Sequence, residues 1–200
     1  MKRYGMIGVN GKKIPINAMI RNVFWNKWKR GFKVNYGEIK KCDIANGEGV
    51  RVALFVSGCR HHCKGCFNGE TWSFTDGEEF TEEKLNYIIE NIDKHNVKRD
   101  LSILGGEPLC DENVEGVLQV CKIFKEKYPE KKIYIWTGYT WENFNELQRE
   151  VLKYIDVLVD GKFEEDKKNI SLTLRGSTNQ RIINVKETLK ENKLILFLTY

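Results

Sequence analysis

Four short apolar runs, each followed by a glycine- or cysteine-bearing turn and then by a segment of helical period, constrain this chain more than any other feature. Residues 50–56 lie between Gly49 and Gly58 and read as a buried strand. Residues 101–104 end at Gly105-Gly106, residues 132–137 end at Gly138, and residues 157–159 precede Asp160-Gly161. Between them, Thr81 is placed to cap a helix with Leu85, Ile88, Ile89 and Ile92 inward. Asp111 is placed to cap a second, with Val114, Val117, Leu118, Cys121 and Phe124 inward, closed by Tyr128-Pro129. Thr140 is placed to cap a third, with Phe144, Leu147, Val151 and Ile155 inward. Strands alternating with helices of this length predict an α/β fold, a parallel sheet with outer helices. In such a sheet the C-terminal strand ends share one rim, and sites are built there.

The turn after the first run is Cys59-Arg-His-His-Cys63-Lys-Gly-Cys66. Three thiols this close cannot all pair with one another, and soft thiolates at this density suit a metal centre. With no fourth cysteine nearby, a cubane iron–sulfur cluster held by Cys59, Cys63 and Cys66 keeps one iron open for chemistry. The competing reading is a closed Cys3His zinc site completed by His61 or His62. At the second strand end, Gly105 and Gly106 let backbone approach a ligand, and Glu107 can accept from an ammonium group. Cys121 lies on an apolar helix face and reads as a small buried hydrophobe.

The cysteine spacing, with Phe67 after the last, resembles the signature of the radical S-adenosylmethionine enzymes. The likeness extends to Asn46-Gly-Glu-Gly49, Leu54-Phe-Val-Ser-Gly-Cys59, Cys63-Lys-Gly-Cys66-Phe-Asn68, Thr71-Trp72, Gly105-Gly-Glu-Pro108, Trp136-Thr-Gly-Tyr139, Leu158-Val-Asp-Gly-Lys-Phe163 and Arg175-Gly-Ser-Thr-Asn-Gln180. These blocks run in the same order in the activating proteins of anaerobic ribonucleotide reductase, over roughly residues 35 to 185. The resemblance implies a partial, open (β/α) barrel of the radical S-adenosylmethionine type. It implies a 4Fe–4S cluster and S-adenosylmethionine as cofactors, a flavodoxin-type electron donor, and a glycyl radical made in anaerobic ribonucleoside-triphosphate reductase. Gly65, Cys66 and Phe67 would meet the adenine, and Gly105, Gly106 and Glu107 the amino-acid end. Asp160 and Lys162 would form a charge pair near the co-substrate or the substrate loop, against the plainer reading of a solvated turn. No catalytic acid or base is implied. The alternatives are an activator of another glycyl-radical enzyme, such as pyruvate formate-lyase, and a non-catalytic iron–sulfur or zinc module. The Arg175–Arg181 stretch matches the family without a physical role.

Charge separates one segment from the rest. Residues 1–34 hold nine Lys/Arg and no acid, whereas the remainder holds 24 Lys/Arg against 28 Asp/Glu, a balance of −4 within an overall +5. The expected division is therefore a basic extension, 1–34, and a domain, 35–200, with no nucleic-acid footprint. Ile20, Val23, Phe24 and Trp28 recur at helical spacing among basic residues, the pattern of a surface-seeking helix. Val34 sits where the family's initiator Met would be, so the extension is also readable as a mis-assigned start and is expected to be dispensable. The absence of a cleavable leader, the short apolar runs and six cysteines predict a reducing, cytoplasmic location without membrane insertion.

Overall fold

The computed structural model describes residues 31–197 and, as backbone alone, a hairpin of β1 (Met6–Val9) and β2 (Lys12–Pro15). The basic helical pattern at residues 20–30 lies outside the described residues. The hairpin belongs to a unit of its own, and a second compact unit begins at Phe32.

The second unit is a seven-stranded open sheet with four α-helices. Its strands are β3 (Asn35–Asp43), β4 (Arg51–Val56), β5 (Glu78–Glu79), β6 (Asp100–Gly105), β7 (Ile133–Trp136), β8 (Val157–Asp160) and β9 (Arg181–Asn184), in the order β5-β3-β4-β6-β7-β8-β9. The four strands expected from the apolar runs form the parallel centre, β4-β6-β7-β8. The expectation of a wholly parallel sheet is corrected at both edges. β3 pairs antiparallel with β4 and β5, and β9 antiparallel with β8. β3 had no signal in the sequence because most of it is polar and solvent-facing, as an edge strand can be.

The helices α1 (Glu82–Ile92), α2 (Val114–Lys127), α3 (Glu146–Leu152) and α4 (Val185–Glu191) all bury their apolar sides in one core. That core takes Val52, Leu54 and Val56 of β4, Leu101 and Ile103 of β6, and Ile133 and Ile135 of β7. The alternate residues face the other way. Phe55, Leu104, Tyr134, Val157 and Val159 are covered there by Trp136, Leu174 and Phe197. Every residue of β4 is buried, as a central strand covered on both faces must be. Phe32 and Val34, placed in the extension by the charge boundary, pack in the main core. The Phe32 ring stands edge-on to Phe80 at 5.1 Å, and the Phe80 N–H donates to the Val34 carbonyl at 2.9 Å.

Two helix starts differ from expectation. Asn113, not Asp111, precedes α2, and its side chain makes no cap because it is engaged at the rim. Residues 141–143 form a single 3-10 turn after Thr140, and α3 begins instead at Asn145. Asn145 and Gln148 form a reciprocal capping box, which satisfies two otherwise orphaned N–H groups and wins the start. Leu147, expected inward, is 40% exposed in consequence.

At the N-terminal end of the parallel strands, on the face away from the helices, sits the fully buried Arg51. Its guanidinium donates to Ser102 Oγ at 2.5 Å and to the carbonyls of Leu101 at 2.7 Å and Glu48 at 3.1 Å. It lies 3.9 Å over the Tyr134 ring and 3.5 Å from Asp100. Several charge-assisted bonds and a cation–π contact make this buried cation tolerable. Among the described residues no helix is long and apolar enough to cross a membrane.

Candidate iron–sulfur site

The expected rim exists: the turns after β4, β6, β7 and β8 stand at one end of the sheet and are bonded to one another. The Gly58 N–H donates to the Thr71 carbonyl at 2.8 Å and the Cys59 N–H to that of Trp72 at 2.9 Å, anchoring the cysteine loop at both ends. Cys59 is buried, Cys63 and Cys66 are partly exposed, and all three are free thiols. The Asn68 N–H donates to Cys66 Sγ at 3.4 Å. The backbone N–H groups of His61 and His62 lie near Cys59 and that of Phe163 near Cys63, close enough to favour the thiolates. His62 takes φ 47°, a left-handed conformation uncommon for a side-chain-bearing residue, and its ring stacks on Trp72 at 4.6 Å.

As thiols, Cys59 and Cys63 have their pKa pushed up by burial, with neighbouring N–H groups acting the other way. A bound metal would reverse that balance and take them as thiolates. A soft set of three sulfurs, with an amide bonded to Cys66 and two of the three reachable from solvent, fits an iron–sulfur cluster, whose potential is tuned by such donors. Among the described residues no three His, Cys, Asp or Glu side chains close on one ion-sized point. The three cysteines share one loop without forming a preformed mononuclear site.

The Gly105-Gly-Glu-Pro108 turn is packed against this loop. The Gly106 N–H donates to the Val56 carbonyl and the Glu107 N–H to the Gly58 carbonyl, both at 2.7 Å. A Cβ on Gly106 would stand 2.5 Å from the Gly58 carbonyl oxygen, so the missing side chain is needed for two turns to meet. Glu107 is buried, and its carboxylate is occupied by the protein. Oε1 accepts from the Leu109 N–H at 2.8 Å and the Thr137 hydroxyl at 2.7 Å, and Oε2 from the Gly138 N–H at 2.7 Å. His61 Nε2 lies 3.0 Å from Oε2 without the alignment of a hydrogen bond. Glu107 thus ties the rim turns of β6 and β7 together beneath the cysteine loop.

Asp160 and Lys162 do not form a charge pair. The antiparallel register sets Arg181 directly opposite Asp160, and its guanidinium donates to both carboxylate oxygens at 2.9 and 2.5 Å. The Trp141 N–H adds a bond at 2.9 Å, and Arg181 also holds Glu142, whose carboxyl falls to about 2 through that contact. Asp160 is fully buried and Lys162 is exposed, its charge close enough to Cys63 to favour the thiolate. Gly65 adopts φ 70° beside Glu165, and Phe67 is 64% exposed with its ring edge-on to Phe163 at 5.6 Å.

Of two residues that bond the rim and its flanking segment, Asn113 had no signal in the sequence and Gln180 appeared only within a family-matching block without a physical role. The Asn113 amide donates to the carbonyls of Ser57 at 2.9 Å and Glu107 at 3.0 Å. Gln180 is bonded within the segment between β8 and β9. Each reaches at least one residue far along the chain through a side-chain amide, Asn113 to Ser57 and Gln180 to Gly161, and no local pattern encodes those contacts.

A family model described as a 4Fe-4S single cluster domain matches residues 45–183. A protein of Pasteurella multocida is 45% identical over 152 residues, covering 74% of this chain and 96% of its own length. A Vibrio cholerae protein is 44% identical over 150 residues, covering 74% and 97%. One from Enterobacteria phage T4 is 41% identical over 149 residues, covering 74% and 93%. All three are named anaerobic ribonucleoside-triphosphate reductase-activating protein. With three cysteines in one loop on the rim and this identity over nearly the full length of each relative, the chain belongs to the family of anaerobic ribonucleoside-triphosphate reductase-activating proteins.

Proposed function

We propose that this protein activates anaerobic ribonucleoside-triphosphate reductase by forming a glycyl radical in it, with S-adenosylmethionine as co-substrate. The observation that carries the reading is the cysteine loop itself, which sets three free cysteines, Cys59, Cys63 and Cys66, just beyond the C-terminal end of β4 on the rim. Cys59, Cys63 and Cys66 would hold a 4Fe–4S cluster. Held there, the cluster would supply one electron for the reductive cleavage of S-adenosylmethionine to methionine and a 5′-deoxyadenosyl radical able to take a hydrogen atom from a glycine Cα. A flavodoxin-type protein would supply the electron. The setting would be the reducing cytoplasm, and the frame the partial barrel of the radical S-adenosylmethionine enzymes.

The residues of this chain bind and orient. Backbone at Gly105 and Gly106 would receive the amino-acid end of the co-substrate, with Glu107 fixing that turn from beneath. Gly65 and Cys66 would offer backbone to the adenine, and the exposed face of Phe67 would stack on it. Asp160 would hold the rim through Arg181, and Lys162 would place positive charge beside the cluster. No side chain needs to move a proton.

Anaerobic reconstitution is expected to give about four irons per chain, the 4Fe–4S stoichiometry, and Cys63→Ala to give fewer and no cleavage of S-adenosylmethionine. With reduced protein, co-substrate and reductase, paramagnetic resonance should show a glycine-centred doublet. Deuterium at that glycine should collapse the doublet and appear in 5′-deoxyadenosine. 5′-Deoxyadenosine without deuterium or glycyl signal would remove the reductase as substrate.

A further inference from the structure

The twenty residues between Asp160 and Arg181 contain one 3-10 turn, Glu165–Lys167, and an isolated bridge between Lys168 and Ser177. A connection this long without regular structure needs side chains to fix it. We propose that Gln180 is a positioning residue for the cysteine loop, its carboxamide locking this segment so that Phe163 stands against Cys63 and Phe67. The inference rests on the role proposed for Cys63.

Gln180 Oε1 accepts from the N–H groups of Gly176 at 2.9 Å and Ser177 at 3.2 Å, while Nε2 donates to the Gly161 carbonyl at 3.0 Å. Two donors on one side and an acceptor on the other settle which way the amide points. One side chain therefore joins the first residue of the segment to its returning limb. Its neighbours reinforce the closure. Ser177 is fully buried and its Oγ accepts from the Glu164 N–H at 3.2 Å. Asn179 Nδ2 donates to the Lys162 carbonyl at 2.8 Å, and the Arg175 guanidinium to that of Gln180 at 2.7 Å. The Arg175-Gly-Ser-Thr-Asn-Gln180 block thus converges on residues 161–164.

Those residues are the ones that touch the cysteine loop. The Phe163 N–H approaches the Cys63 thiol, and its ring meets Phe67 edge-on. Gly176 packs closely against both rings: a Cβ would stand 3.0 Å from the Phe163 ring and 3.2 Å from Phe67, so the rings would have to shift to admit it. Glu165 fills the space beside Gly65 and pairs with Lys64 at 3.0 Å. The far limb has a separate anchor, the Leu174 carbonyl accepting from Trp136 Nε1 at 2.7 Å, with Leu174 at φ 61°. Loss of Gln180 should therefore release the near limb without freeing the whole segment.

The test uses the full chain, cluster-free and reduced, with iodoacetamide as probe and each thiol's alkylation rate read by mass spectrometry. Cys42, exposed on β3, is the internal reference. In Gln180→Ala the ratio of Cys63 to Cys42 rates should rise about tenfold, since three hydrogen bonds that close the segment are gone. Gln180→Glu keeps the acceptor but sets an oxygen against the Gly161 carbonyl, and should fall between Gln180→Ala and wild type. Asn145→Ala, which removes the α3 cap away from this segment, should leave the ratio unchanged. An unchanged ratio in Gln180→Ala, a different order of variants, or an equal rise in Asn145→Ala would overturn the proposal. After reconstitution, the Gln180→Ala resonance spectrum of the reduced protein should differ from wild type at equal iron content; an identical spectrum would also count against it. Failure of every variant and of wild type to take up iron, with the thiol ratios as expected, would instead reject the cluster while leaving the clamp intact.

Discussion

Glu107→Gln separates a carboxylate that holds the rim from one that touches the co-substrate. In the folded protein Glu107 is 1% exposed, with two donors on Oε1 and the Gly138 N–H on Oε2. A glutamine of the same shape keeps one oxygen for the Leu109 and Thr137 donors. Its NH2 group then faces the Gly138 N–H, donor against donor. The lost charge-assisted bond is worth about 1.5–3 kcal/mol, and a buried donor left unsatisfied costs about 1–3 kcal/mol more. A loss of about 4 kcal/mol is a large part of a domain's stability, which is about 5–15 kcal/mol. With a urea dependence of about 2 kcal/mol per molar, the unfolding midpoint of cluster-free protein should fall by about 2 M at unchanged slope. Urea titration followed by circular dichroism reads this directly. An unmoved midpoint together with lost S-adenosylmethionine binding in calorimetry would refute the reasoning and return Glu107 to direct contact with the ligand.

Gly106→Ala should lower the melting temperature and slow cluster assembly together, because its Cβ meets the Gly58 backbone one residue before Cys59; normal assembly with weakened co-substrate binding would mean the glycine serves the ligand alone. A chain beginning at Gly31 should match the stability of the full chain, whereas one beginning at Asn35 loses the buried Phe32 and Val34, about 1.5–3 kcal/mol for each side chain. Equal denaturation midpoints for the two truncations would contradict that packing. Burial pushes the thiols of Cys110 and Cys121 up to about 12, so both stay protonated at pH 8 and should resist maleimide while exposed Cys42 reacts. Labelling of Cys121 in folded protein would show that the core opens.

What could be read ahead of the structure was what repeats locally. The apolar runs at 50–56 and 101–104 become β4 and β6 within a residue, because strands buried on both faces are apolar throughout. The helical periods of Leu85–Ile92 and Val114–Phe124 survive because each helix buries one apolar side in the core and so repeats it about every three to four residues. β3 was hidden by Glu38, Lys40 and Lys41, tolerated where one face meets solvent. The rim chemistry was legible as residue types and strand ends, but not as bonds. Asp160 carries no mark of Arg181, twenty-one positions away, until the antiparallel turn of β9 brings them together. Likewise Thr140 and Asn145 are both good caps by type. Only the reciprocal bonds of Gln148 decide between them.

The buried Arg51 has a kinetic consequence. Its guanidinium, Tyr134 and Ser102 fill the N-terminal end of the sheet, so the proposed reaction would exchange its components at the C-terminal rim. Co-substrate, departing methionine and the partner's glycine loop must then use one passage in turn. The proposed reaction would then have an order of addition: S-adenosylmethionine would load first, the reductase would seat over it, and methionine would leave when the partner withdraws. Isotope trapping would reveal this as labelled co-substrate committed to turnover once reductase is added in excess, and free exchange under those conditions would mean a second way in.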